Sequence, residues 1–269
     1  FHLFDVAQDE AIKTQHEDQL SISNALHNQE LVLYYQPKVN MKTGLVTGAE
    51  ALIRWAHPQR GLLAPASFLP TIENQPISIE VGEWVISTAL AQMSAWQAQG
   101  LRLPVSVNIG AKQLQQDGFA ARLGQLLALQ PAVPAHWLQL EVLETSALED
   151  VVKVSAAMRA CQVMGVSFAL DDFGTGYSSL TYLKRLPAET LKIDQSFVRD
   201  MLDDPGDLVI VSGVIGLAKS FGREVIAEGV ETRAHGELLL HSGCELAQGF
   251  GIAAAMPAAN LPQWVLDWH

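Results

Sequence analysis

From Leu31 to Trp268 short β-rich runs alternate with longer helical stretches, and this alternation leaves few folds open. The strand candidates are LVLYYQP (31–37), LVTGAEALIRW (45–55), PVSVNIG (104–110), LQLEVLE (138–144), VSFALDD (166–172), TLKID (190–194), REVIAEG (223–229) and ELAQG (245–249). Helices are expected around 65–73, 80–99, 118–129, 150–164, 178–186, 207–221, 231–242 and 259–268. Six strands alternate cleanly with helices, which predicts βα units and a parallel sheet, open or closed.

The polar residues favour the closed form. Glu50 sits in the second strand, Asn108 ends the third and Glu141 lies late in the fourth. Asp171 and Asp172 end the fifth, Lys192 lies in the sixth, Glu228 ends the seventh and Gln248 the eighth. In an open doubly wound sheet such ends spread along a line, and ligands gather at one switch point. In a closed barrel they converge on a ring, where barrel enzymes place their chemistry. The expected class is therefore α/β, as a barrel.

Composition agrees. The 269 residues suit one α/β barrel of roughly 250 residues. Seventeen Lys+Arg against 29 Asp+Glu leave a formal charge of −12. That balance counts against a surface that tracks polymeric nucleic acid or an anionic membrane, but not against a small anionic ligand at one site. Cys161 and Cys244 are too few and too far apart for a disulfide framework or a Cys-type zinc site, and fit reduced cysteines of a cytoplasmic domain. No apolar stretch approaches the roughly 20 residues of a membrane span; Val209–Ala218 is a short run in an amphipathic pattern. The chain opens on Phe1, so it reads as a fragment whose parent carries any membrane anchor elsewhere.

Glu50, Glu141, Asp171, Asp172 and Glu228, with the Asn108 amide, would crowd one end of the barrel. Carboxylates that close ionise together only beside compensating cations; otherwise some stay protonated. Oxygen donors suit Mg²⁺, Mn²⁺ or Ca²⁺ rather than zinc. Adjacent Asp171 and Asp172 let one residue bridge two ions while the other holds the second. A two-metal site clamps the attacking and leaving oxygens of a phosphoryl transfer and acidifies bound water. Lys192 either orients that nucleophile or neutralises developing charge. Two divalent ions and Lys192 together balance the five acids. The blander reading is a set of solvated strand-end acids and helix caps.

Glu50-Ala51-Leu52 within GAEALIRW, followed by HPQRG, NIGAKQL, DDFGTGYSSL, LKIDQSFV, AEGVE and QGF, resembles the EAL-domain family of cyclic di-GMP phosphodiesterases, from about Leu31 to Trp268. The resemblance implies a (β/α)8 TIM-like barrel with one reversed strand, and hydrolysis of cyclic di-GMP to linear pGpG with two Mg²⁺ or Mn²⁺ ions. By the same resemblance Glu50, Asn108, Glu141 and Asp171 are ligands of the first metal. Asp171 bridges to the second, which Asp172 and Glu228 help hold. Lys192 contacts the nucleophilic water, and Gln248 supports the site. Glu228 has two roles in the family, general base and metal ligand. Arg54 resembles the arginine that grips a substrate phosphate, and Gln36 lies near the ligand.

Phe173–Leu180, with Gly174 and Gly176, resembles the loop that links the metal site to a homodimer interface, and Glu144 its anchor. His57 before Pro58 reads as a turn residue. Asp172-Phe173-Gly174 spells a kinase triplet, but no other kinase motif accompanies it. Gly110, Leu143, Ala254 and Ala255 depart from the family pattern without removing a metal ligand. Residues 1–29 resemble the end of a GGDEF cyclase-type domain and a connector helix, leaving 30–269 as the EAL domain. Ca²⁺ is expected to inhibit, because its longer, looser coordination misplaces the nucleophile. The rival readings are a catalytically silent cyclic di-GMP receptor and a divalent-metal lyase. Receptors of that kind typically lose metal ligands or the lysine, and here all are present.

Overall fold

Period-two burial sets the architecture. In a strand, successive side chains point to opposite faces, so one face can meet helices while the other fills a barrel. In β1 (Leu31–Asn40) the residues Leu31, Leu33, Tyr35 and Val39 are buried on the outer face. Tyr35 meets Trp96 of α1 (Ile77–Ala98) edge-on, with centroids 4.7 Å apart. Gln36 and Lys38 occupy the inner face. The computed structural model describes residues 21–268 except 74, 149, 177–179 and the side chain of Leu180. The strand-like FHLFD, most of the expected connector and the middle of the 173–180 loop lie outside the described residues.

The remaining strands are β2 (Val46–His57), β3 (Gly61–Leu63), β4 (Val105–Asn108), β5 (Leu138–Leu143), β6 (Ser167–Phe173), β7 (Thr190–Ile193), β8 (Glu224–Ala227), β9 (Leu246–Ala247) and β10 (Met256–Pro257). Strands β2, β4, β5, β6, β7, β8 and β9 are parallel in that order, and β1 closes the ring by pairing antiparallel with both β9 and β2. This is the eight-stranded barrel with one reversed strand, and each sequence candidate supplies one stave.

Two short strands stand outside the expectation. β3 folds back on Trp55–His57. The ring nitrogen Nδ1 of His57 accepts from the backbone N–H of Gln59 and Arg60, and Gly61 has φ +73°, so HPQRG is a tight reversal. β10 adds to the outer edge of β1. Neither is long enough to show a period of two. The helix expected at 65–73 is two pieces, Pro65–Ser67 and Leu69–Ile72, broken at Phe68 with φ −144°.

Around the ring lie α1, α2 (Phe119–Ala128), α3 (Val151–Gln162), α4 (Leu180–Arg185), α5 (Pro205–Ser220), α6 (Arg233–Ser242) and α7 (Leu261–Asp267). Asp150, Asp204 and Thr232 cap α3, α5 and α6 by accepting from backbone N–H groups of their first turns. Residues 21–27 are helical and sink Ile22 and Ala25 into the core. No helix among the described residues is long and apolar enough to cross a membrane.

At the carboxyl end of the barrel the chain after β9 interlocks with the chain after β8. The Gly251 N–H donates to Val230 O, and a Cβ on Gly249 would lie 2.3 Å from the Val230 backbone nitrogen and oxygen. Gly249→Ala is expected to cost about 1–3 kcal/mol, because backbone cannot yield as a side chain can. Gly213→Ala, in α5 with nothing within 4 Å, is expected to be neutral or stabilising. Urea melts of the two variants read the difference, and equal midpoints would contradict the interlock.

Candidate active site

The inner-face residues of the parallel strands rise in layers, and the acids occupy the carboxyl end. Glu50 of β2, Glu141 of β5 and Lys192 of β7 are almost fully buried, with Lys192 1% exposed and Glu141 0%. Asp171 ends the inner face of β6. Asp172, its neighbour, would point outward in a regular strand. Instead the β6–β7 register shifts between Leu170 and Phe173, and Asp172 takes φ +52°, in the left-handed region. That local reversal lets two consecutive carboxylates serve one site.

One ammonium holds the acids together. Lys192 Nζ lies 2.5 Å from Glu141 Oε2, 2.7 Å from Glu228 Oε1, 2.9 Å from Asp171 Oδ1 and 3.5 Å from Glu50 Oε2. Glu50 also accepts from Asn108 Nδ2 and Gln248 Nε2, each at 2.7 Å. Two triads of carboxylates bring one oxygen apiece within 4.8 Å of one another: Glu50, Glu141 and Asp171, and Asp171, Asp172 and Glu228. They share Asp171. The Asn108 amide nitrogen faces Glu50, which leaves its carbonyl oxygen as a further donor. An all-oxygen set with one shared carboxylate fits a pair of hard divalent cations.

The electrostatics match. Burial, reinforced by the charge on Glu141, pushes the Glu50 carboxyl upward. Burial also raises Glu141, but the ammoniums of Lys192 and Lys38 outweigh it and hold Glu141 well below the usual range. Glu228 is pushed up to about 8, first by burial and then by Asp171, Glu50 and Glu141, against the pull of Lys192. Asp172 is pushed up to about 7 by burial, then by Asp171 and Asp194. Burial acts to lower Lys192, yet its four carboxylates hold it well above the ordinary lysine value. Too many acids share too little positive charge, so protons remain where cations would bind.

The substrate-side candidates sit on the two antiparallel strands. Gln36 Nε2 donates to Ala253 O at 2.9 Å and Gln36 Oε1 accepts from Gln248 at 2.8 Å. This links Gln36, Gln248 and Glu50 in one chain of hydrogen bonds. Arg54 is half-buried, with its guanidinium 5.9 Å from the Tyr34 ring centroid and Nη1 donating to Ile53 O. It makes no carboxylate ion pair among the described residues.

Loop residues gather at Glu144. This buried carboxylate accepts from the Gly174 N–H at 3.0 Å; burial raises it while the N–H groups of Gly174 and Gly176 pull it down. Gly174 has φ +106°, and a Cβ there would lie 3.2 Å from the Phe197 ring. A Cβ on Gly176 would lie 3.3 Å from Glu144 Oε1. Phe173 is buried in register with Ile193.

Two residues of the site escaped the sequence reading. Lys38 Nζ lies 2.6 Å from both Glu141 Oε1 and Ser106 Oγ. The five acids thus face two ammoniums, not Lys192 alone, which corrects the charge balance expected from sequence. Its signal was period two from Gln36. Asp194, two residues beyond Lys192, hydrogen-bonds Asp172 and caps the helical turn Gln195–Asp200.

The EAL domain family model matches residues 19–255. The chain is 42% identical over 241 residues to the bifunctional diguanylate cyclase/cyclic di-GMP phosphodiesterase MucR of Pseudomonas aeruginosa, covering 89% of this chain and 35% of MucR. It is 38% identical over 252 residues to the cyclic di-GMP phosphodiesterase PA2567 of the same organism, covering 92% of this chain and 42% of that protein. The chain therefore spans well under half the length of these relatives. The solved structure of the PaMucR phosphodiesterase in complex with c-di-GMP superposes with a TM-score of 0.87 at 40% identity, covering 91% of this chain and 99% of the other. Barrel, motif order and relatives agree: the chain belongs to the EAL domain family.

Proposed function

We propose that this domain hydrolyses cyclic di-GMP to linear pGpG with two Mg²⁺ or Mn²⁺ ions. The observation that carries the reading is the pair of carboxylate triads sharing Asp171. Likeness to MucR and PA2567 supports the substrate. Bound there, the cations acidify the attacking water and stabilise charge on the phosphate oxygens. A water oxygen forms the new bond to phosphorus, the ribose 3′ oxygen leaves with a proton, and one phosphodiester opens.

The chain's own residues orient this step. Arg54, which makes no direct carboxylate ion pair among the described residues though it feels the Glu50 charge, grips a non-bridging phosphate oxygen with its planar guanidinium. Glu50, Asn108, Glu141 and Asp171 would hold one cation, and Asp172 and Glu228, sharing Asp171, would hold the other. The Lys192 ammonium neutralises charge at the reacting oxygens. Glu228, paired with Lys192, is the carboxylate this reading assigns to take the water's proton. Gln36 and Gln248 brace Glu50. The loop after Asp172 carries a homodimer contact in this reading. The domain acts in the cytoplasm, as the output half of a tandem GGDEF–EAL parent.

Incubation of the protein with cyclic di-GMP and Mn²⁺ is expected to yield pGpG. Glu50→Ala or EDTA should cut the rate by more than about a hundredfold, as befits a lost electrostatic contact to the reacting group. Binding without pGpG would establish the silent receptor instead. Ca²⁺ as sole metal is expected to give little product, and full turnover with it would refute the coordination argument.

The raised carboxyls also fix a pH dependence. Folded, metal-free protein keeps protons on Glu228, up from 4.5 to about 8, and on Asp172, up from 3.8 to about 7, which the unfolded chain releases earlier. Their contribution to stability is therefore full below the unfolded values and is lost as pH rises through the folded ones. EDTA-treated protein should melt lower at about pH 8.5 than at about pH 6, and the gain in Tm on adding Mg²⁺ should be larger at the higher pH. A Mg²⁺ gain independent of pH would contradict the protonated site.

A further inference from the structure

The reversed direction of β1 brings a second ammonium into the barrel from below. Lys38 lies near the carboxyl end of β1, at the level where the parallel strands begin. Its Nζ pairs with Glu141 Oε1 and Ser106 Oγ, each at 2.6 Å. Lys192 takes the other oxygen, Oε2, on the side shared with Glu50, Asp171 and Glu228. The two lysines thus divide Glu141 between them. Lys192 touches four carboxylates that a cation would claim. Lys38 touches one carboxylate oxygen, on the face away from them.

A cavity of about 320 Å³ opens beneath Lys38, lined among others by Ser106, Gln139, Ser167, Thr190 and Glu224 at the starts of their strands. The floor of the barrel is therefore open to small molecules, independently of the carboxyl end.

We propose that Lys38 is a positioning residue for the metal site: it pins Glu141 Oε1 and so presents Oε2 alone, in one orientation, to a cation. A fully buried carboxylate that lost this partner would keep an unpaired oxygen and turn to satisfy it. Groups that orient a ligand in this way typically account for about 10–100-fold in metal affinity or activity. The proposal rests on the metal-dependent reading above.

Calorimetric titration of Lys38→Ala with Mn²⁺, without substrate, tests it. The affinity is expected to fall at least about tenfold. With cyclic di-GMP at saturating Mn²⁺, kcat should fall while KM stays within about twofold, because Lys38 does not face the substrate. Propylammonium, entering through the floor cavity, should restore much of the Mn²⁺ affinity to Lys38→Ala and none to Lys192→Ala. Lys38→Met, which keeps the length of the side chain but offers no donor toward Glu141, replaces Lys38→Ala if that variant does not fold, with the same expected loss of affinity. Wild-type affinity in the folded variant, or a loss in Lys38→Ala that propylammonium does not restore, overturns the proposal. A wild-type protein that binds Mn²⁺ yet leaves cyclic di-GMP intact refutes the phosphodiesterase reading alone, since the metal titration still decides the role of Lys38.

Discussion

A single buried ammonium makes the barrel's interior possible. Four carboxylates within 3.5 Å of one nitrogen would repel one another severely without it, and burial magnifies that repulsion. Lys192 sits on a central stave, so the four strands bearing those acids converge on it. Lys38 adds a second positive charge from the opposite end. The interior charges are thus partly balanced, yet remain deficient in positive charge. That residual deficit leaves an acidic cluster able to hold metal ions rather than a closed salt bridge.

The same arrangement reconciles an acidic protein with the anionic ligand proposed for it. The net charge of −12 is summed over the whole chain, buried acids included, whereas a ligand meets the local field. Arg54 contributes a cation at the rim, held by Ile53 O and the Tyr34 ring rather than by an acid. The acids themselves become attractive to phosphate only once divalent ions cover them.

Much of this was legible in the sequence because it follows from periods and ends. Polar residues on seven strands, mostly near their carboxyl ends, specify convergence, and convergence specifies a closed barrel. What stayed hidden depended on direction or on local breaks in regularity. Lys38 lies just past the 31–37 run read as the first strand, in a strand whose reversal no apolar period reveals; only the family resemblance supplied that reversal. The pairing of Asp171 with Asp172 at one site looks impossible for a regular strand, and the left-handed backbone at Asp172 resolves it. β3 and β10, with three and two residues, are too short for a pattern to form. The loop glycines were visible as glycines, but the crowding of Gly174 against Phe197 required the fold.

The reversal of β1 also governs the order in which the barrel can be completed. Its pairing with β2 spans a short turn, so that hairpin is available early in synthesis. Its other edge waits for Leu246–Ala247 and Met256–Pro257, some two hundred residues later. Until then a ten-residue strand presents unpaired backbone groups, the kind of edge that recruits other chains. The last few staves therefore act as a seal as well as a support. A ribosome-bound or truncated chain that stops short of Pro257 carries an open seam.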